Sequence, residues 1–127
     1  MRFFSTRVHG VLDYLFGALL IAFPWMFGIA PDAPMGAIAL ALGALIVIYS
    51  LLTDYELGAV RRIQMPVHLW LDALAGLVLA ASPWVFAFDQ QLWIPHVVLG
   101  AALILVAFLS NTIPSYERRR TPQLRTG

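Results

Sequence analysis

Two histidine–aspartate pairs, His9 with Asp13 and His68 with Asp72, are the groups in this 127-residue chain best suited to chemistry. An i, i+4 spacing puts each imidazole and its carboxylate on one face of a helix. Gly17 and Gly76 continue those two faces by a further turn. Three uses suit such groups. In the structural use, each His bonds its own i+4 Asp, or the two pairs cross-pair and fix helix packing. In the second, Asp13 and Asp72 titrate as members of a proton or ion relay. In the third, two His and two Asp hold a metal. The metal use has no His-Glu-x-x-His element behind it, and partners on one helix can satisfy each other. The expectation is structural pairing, with no metal, no cofactor and no catalytic residue.

The pairs belong to a stretch that occurs twice. His9, Asp13, Gly17, Pro24, Trp25 and Phe27 match His68, Asp72, Gly76, Pro83, Trp84 and Phe86, each at an offset of 59. Such self-similarity implies a duplicated unit. Near its end the register changes, with Tyr55-Glu56 matching Tyr116-Glu117 at an offset of 61. Two extra residues around Ile113-Pro114 account for that change on this reading.

Composition sets the surroundings. The chain is 61% hydrophobic and 12% charged, against about 25% charged in soluble domains. A chain this short cannot bury so much apolar surface in one core, which leaves lipid as the solvent. With no cysteine, disulfides, thiolate metal sites and Cys-x-x-Cys redox chemistry are excluded. All eight basic residues are Arg, which excludes a Schiff-base lysine.

Roughly 20 residues of helix cross the ~30 Å hydrocarbon layer. Apolar runs predict transmembrane helices at about 8–28, 35–53, 66–88 and 94–113. The fold class is an all-α membrane protein, four transmembrane helices arranged as two tandem hairpins. Repeat one covers 8–56, repeat two covers 66–117, and a mobile basic tail covers 115–127. Pro66 and Pro95 suit helix starts, and Pro114 ends the last helix. A secretory signal at the N-terminus is rejected, because the third helix is an internal copy of the first. Every Arg lies in the N-terminus, the middle connector or the tail, whereas the other two turns hold only Asp32 and Asp89. The positive-inside rule then puts both termini in the cytoplasm, with the hairpins in parallel repeat about an axis along the membrane normal. Trp25, Trp84 and Trp93 mark the outer interface. Tyr55 and Tyr116, with Trp70 near them, mark the inner one.

Pro83 removes a backbone hydrogen bond and crowds the carbonyl at Leu79. The Ser82 hydroxyl is a suitable local partner for that carbonyl, and Phe23 holds the matching place in the first copy. Pro24 and Pro83 are therefore expected to kink their helices, with Trp25 and Trp84 anchoring each bend at headgroup depth. Two hairpins with (Ser)-Pro-Trp late in the first helix, and an acidic residue and Gly upstream, resemble the SPW-repeat family of small prokaryotic integral membrane proteins. The resemblance covers nearly the whole chain, with Phe23 as a departure. It implies four membrane helices and carries over no activity, cofactor or catalytic residue.

Asp13 and Asp72 fall just inside the cytoplasmic edge of the hydrocarbon and should face the protein interior, where Gly17 and Gly76 allow close helix approach. His96 has Ala37 as its counterpart at the same offset, and is expected to be solvated at the outer interface. Small residues Gly36, Ala39, Gly43, Gly100 and Ala101 suit helix packing or a dimer face. Arg118, Arg119 and Arg120 enforce topology and contact anionic headgroups. They do not form a nucleic-acid surface. The functional expectation is a non-enzymatic protein of the prokaryotic cytoplasmic membrane, structural or partner-stabilising. Its partners would be the bilayer and a second copy or another membrane protein. The alternative is a small proton- or ion-coupled transporter or channel subunit using Asp13 and Asp72.

Overall fold

The structure is a computed structural model and describes residues 2–117. Four helices account for most of it: α1 (Thr6–Met26), α2 (Pro34–Leu51), α3 (Met65–Val85) and α4 (Trp93–Leu109). Ser5 caps α1 by accepting from the Val8 amide at 3.2 Å. Pro34 and Pro66 open α2 and α3, where a missing N–H leaves no orphan. Among the described residues there are no strands, only two isolated bridges.

Burial runs opposite to that of a soluble protein. The polar residues His9, Asp13, His68 and Asp72 are buried, while Leu15, Leu74, Leu105 and Phe108 are exposed on the helix exteriors. Water would strip that exterior of much of its stability, since each exposed apolar Å² costs about 25 cal/mol. Three helices, α1, α2 and α3, are long and apolar enough to cross a membrane; α4 is apolar and has 17 residues, at the lower edge of the usual range of about 17–25. The chain is a membrane protein with several candidate spans.

Within each hairpin the helices meet backbone to backbone. A Cβ on Gly43 would lie 2.7 Å from the Gly17 carbonyl, and one on Gly100 would lie 2.5 Å from the Gly76 carbonyl. No larger residue fits without prying the helices apart. The helix pairs α1–α2 and α3–α4 are the closest in the molecule, and α2 also touches α3. Between the hairpins sits an apolar core of Leu20, Phe23, Ala39, Leu42, Ile46, Ala75, Leu79 and Leu103.

Both hairpins turn in the same way. The Ile29 amide bonds the Pro24 carbonyl at 2.7 Å, and the Phe88 amide bonds the Pro83 carbonyl at 2.8 Å. Each closure carries a left-handed residue, Gly28 (φ 64°) in one turn and Ala87 (φ 56°) in the other, as this helix-ending motif requires. Beyond the turn the register shortens. Gly43 and Val47 stand against Gly17 as Gly100 and Ile104 stand against Gly76, so the second helices match at 57.

The shift corrects three expectations. His96 matches Ala39 and not Ala37. Tyr55-Glu56 and Tyr116-Glu117 are not equivalent positions, since Tyr55 is fully buried and Tyr116 half-buried. The first change of register falls at the hairpin turn, where the second copy is two residues shorter. Past the helices, Phe4 bridges Ser110 just as Ile63 bridges Thr53. These bridges explain why α4 ends at Leu109, short of the expected 113. Ser110 is extended (ψ 148°), and the Phe4 amide bonds the Leu109 carbonyl at 3.0 Å. Residues 115–117, expected to begin a mobile tail, are instead docked: the Ser115 amide and hydroxyl bond Glu56 at 2.8 and 2.6 Å. Arg118, Arg119, Arg120 and Arg125 lie outside the described residues.

Candidate functional site

α1 and α3 present His9, Asp13, His68 and Asp72 to one another near the ends where both helices begin. All four side chains are 2% exposed or less. The shortest contacts run between the hairpins. His9 Nε2 lies 2.8 Å from Asp72 Oδ2, and His68 Nε2 lies 2.8 Å from Asp13 Oδ2. The contacts within one helix are longer, 3.1 Å for His9–Asp13 and 3.1 Å for His68–Asp72. The two Nε2 atoms stand 3.3 Å apart. Of the two pairings open at the level of sequence, the cross-pairing has the shorter contacts.

Each imidazole is oriented from behind by a hydroxyl. His9 Nδ1 lies 2.6 Å from Ser110 Oγ, and His68 Nδ1 lies 2.7 Å from Thr53 Oγ1. Those hydroxyls have already spent their protons on carbonyls four residues earlier: Ser110 donates to Val106 at 2.6 Å and Thr53 to Tyr49 at 2.7 Å. Each hydroxyl can then only accept, so Nδ1–H donates on both rings and both Nε2 atoms face the centre. Ser110 and Thr53 sit just beyond α4 and α2, the helices that pack on α1 and α3. Sequence reasoning missed them. Their signal is the offset of 57, visible only once the register of the second helices is known.

The site is not fully symmetric. The Tyr49 hydroxyl donates to Asp72 Oδ1 at 2.6 Å, and its counterpart at the offset of 57 is Val106, which has no hydroxyl. The Tyr55 ring lies 5.5 Å from that of His68. Tyr55, Met65 and Leu69 form a small apolar cluster with Leu57. Tyr55 is packed inside, against Gly10 and His68, and its ring is not exposed on the helix exterior as those of Trp25 and Trp84 are.

Outside the helices, Glu56 clasps the starting end of the molecule. It accepts from the Thr6 hydroxyl at 2.8 and 2.7 Å as well as from Ser115. Burial pushes its carboxyl up, but the Ser115 and Thr6 hydrogen bonds outweigh burial and hold it at about 2. Asp54 accepts from the Tyr116 hydroxyl, and Arg61 lies over the Tyr116 ring at 4.8 Å.

At the far end, His96 is buried and not solvated. Its ring packs on Phe23 at 4.9 Å and Phe88 at 4.8 Å. Its nitrogens face the carbonyls of Leu92 at 2.8 Å and Met35 at 2.9 Å. Met35 belongs to the other hairpin, so His96 ties the hairpins at this end. Pro95 marks a helix start, which points to a solvated ring at the interface, but Phe23 and Phe88 pack against the ring and bury it.

Pro24 and Pro83 both lie inside their helices. The Ser82 hydroxyl donates to the Leu79 carbonyl at 2.6 Å, supplying the bond that Pro83 cannot make. Trp25 and Trp84 are exposed, with the Trp84 and Trp93 rings 6.0 Å apart. The SPW repeat domain matches residues 7–110. The chain belongs to the SPW repeat family. The matched span holds the whole buried cluster and its orienting hydroxyls, and ends on Ser110. In this SPW repeat protein the Ser-Pro-Trp element therefore lies at the opposite end of α3 from the His–Asp cluster. Comparison with curated proteins and with solved structures returned no match.

Proposed function

We propose that this SPW repeat protein is a non-enzymatic, multi-pass protein of the prokaryotic cytoplasmic membrane, built as two copies of one hairpin. Both termini are cytoplasmic. Its role is structural: a rigid four-helix element that assembles with itself or stabilises a membrane-protein partner. The observation that carries this reading is the pair of 2.8 Å His–Asp contacts, each joining one hairpin to the other. Buried and mutually satisfied, they act as a lock at the cytoplasmic end of the seam. Charged groups in the membrane are tolerated when they pair in this way.

The orientation is supported by Arg2, Arg7, Arg61 and Arg62 at the end where α1 and α3 begin, against Asp32 and Asp89 at the other. Against transport stands the core above the lock. Leu20, Leu42, Ile46, Leu79 and Leu103 belong to the apolar core between the hairpins, and these side chains offer a proton or ion no polar group.

The test is reconstitution of the purified full chain in liposomes under an imposed pH gradient. The expected flux equals that of protein-free vesicles at every pH. A pH-dependent flux that disappears in the Asp13→Asn/Asp72→Asn variant would establish the transporter alternative instead. Isolation from native membranes is expected to yield a homo-oligomer or a fixed-stoichiometry partner.

A further inference from the structure

We propose that His9, Asp13, His68 and Asp72 form the binding site for one divalent transition-metal cation, of the class that Zn²⁺ represents. This goes beyond the locking role, which concerns the cation-free chain.

Ligand geometry is the first support. One donor atom from each of the four residues lies within 4.8 Å of all the others. In a tetrahedral site with bonds of about 2.0–2.1 Å, neighbouring donors stand about 3.3–3.4 Å apart. The two Nε2 atoms are 3.3 Å apart. Asp72 Oδ2 lies 2.8 and 3.1 Å from the two rings, whereas Asp13 faces His9 with Oδ1 at 3.1 Å and His68 with Oδ2 at 2.8 Å. To admit the ion, both carboxylates need to withdraw by about half an ångström and Asp13 needs to turn one oxygen to the centre.

The second support is independent of the donors. A metal-binding imidazole usually donates its other N–H to a fixed acceptor, which sets the tautomer and aims the free nitrogen at the metal. Ser110 and Thr53 do this for His9 and His68, each held as an acceptor by its own bond to a backbone carbonyl. Tyr49 likewise orients Asp72 through its second oxygen. A lock made only of ion pairs has no need for both Nε2 atoms to converge on one point.

The donor set defines the class of ion. Two imidazoles and two carboxylates suit Zn²⁺, Mn²⁺, Fe²⁺ or Co²⁺; the imidazoles disfavour Ca²⁺ and Mg²⁺, and the lack of thiolates disfavours Cu⁺. Two carboxylates balance the charge of one divalent ion, which buries a neutral complex. The cation takes the place of the two protons shared along His9–Asp72 and His68–Asp13, and both protons leave to solvent.

The experiment uses the full chain in detergent, stripped with a chelator. Zn²⁺ is titrated by calorimetry with Mg²⁺ in excess, and Co²⁺ serves as the optical probe. The expected result is one equivalent per chain, release of two protons, and the intense visible bands of four-coordinate Co²⁺. Asp13→Asn/Asp72→Asn should abolish uptake. Should that variant not fold, Ser110→Ala retains every ligand and should weaken binding about 10- to 100-fold. Asp32→Asn, remote from the site, should change nothing. The proposal is overturned if the folded chain takes up neither ion at millimolar concentration. It is equally overturned if uptake is indifferent to Ser110→Ala and to the double variant, which would mark an adventitious surface site. Either failure leaves the lock standing, because the lock is read from the stability of the stripped protein.

Discussion

The molecule has two kinds of helix interface, and they are built from opposite materials. Within a hairpin, glycines let backbones touch, at Gly17–Gly43 and Gly76–Gly100. Between hairpins, side chains do the joining: the His–Asp cluster at one end, an apolar core in the middle and His96 at the other. The first kind has shape specificity and little chemistry. The second holds its polar groups in buried pairs that fail if one member is removed. The hairpin is thus the closely packed unit, and the seam between hairpins is where the buried polar groups are concentrated.

The largest expected effect is on the seam. Asp72→Ala leaves His9 facing a vacated position and the Tyr49 hydroxyl without its acceptor, and should cost about 3–5 kcal/mol. Unfolding of the full chain in mixed micelles measures it. A cost below about 1 kcal/mol would place the strength of the seam in its apolar core. Next comes the hairpin interface. Gly76→Val pushes a side chain into the Gly100 carbonyl and should cost about 1–3 kcal/mol or more. That variant should still bind metal if the two interfaces act separately.

A smaller effect concerns the clasp that seals the seam from outside. The folded Glu56 carboxyl sits at about 2, below its ordinary 4.5. Its contribution is therefore full above pH 4.5 and is lost as pH falls from there toward 2. Amide exchange at Ser115 should accelerate over that window and become pH-insensitive in Glu56→Gln, beyond the intrinsic exchange rate. The smallest effect lies at the hairpin turn. Ala87 holds a left-handed conformation that Gly28 adopts freely in the other turn. Ala87→Gly should stabilise by about 1 kcal/mol, and a loss of stability would contradict the equivalence of the two turns.

Much of this was legible in the residues. The apolar runs located the helices, and the i, i+4 spacing put His and Asp on one face. The Ser-Pro-Trp element led to the family, and the match over 7–110 bears that resemblance out. The partner of each His was not legible. Spacing shows what shares a helix face, while cross-pairing depends on how two helices are set against each other. The orienting hydroxyls of Thr53 and Ser110 were hidden because the second helices correspond at an offset of 57, so a fixed offset of 59 points past them. The burial of His96 was missed for a related reason: its environment comes from Phe23, Phe88 and Met35, all distant in sequence.

The central claim is that the His–Asp pairs join hairpin to hairpin. A double-mutant cycle on His9 and Asp72 in the metal-free chain, alongside one on His9 and Asp13, tests it most directly. The account predicts a coupling of about 0.5–3 kcal/mol for His9 with Asp72, at least as large as that within α1. A coupling near zero across the seam, with the whole of it inside the helix, would contradict the account.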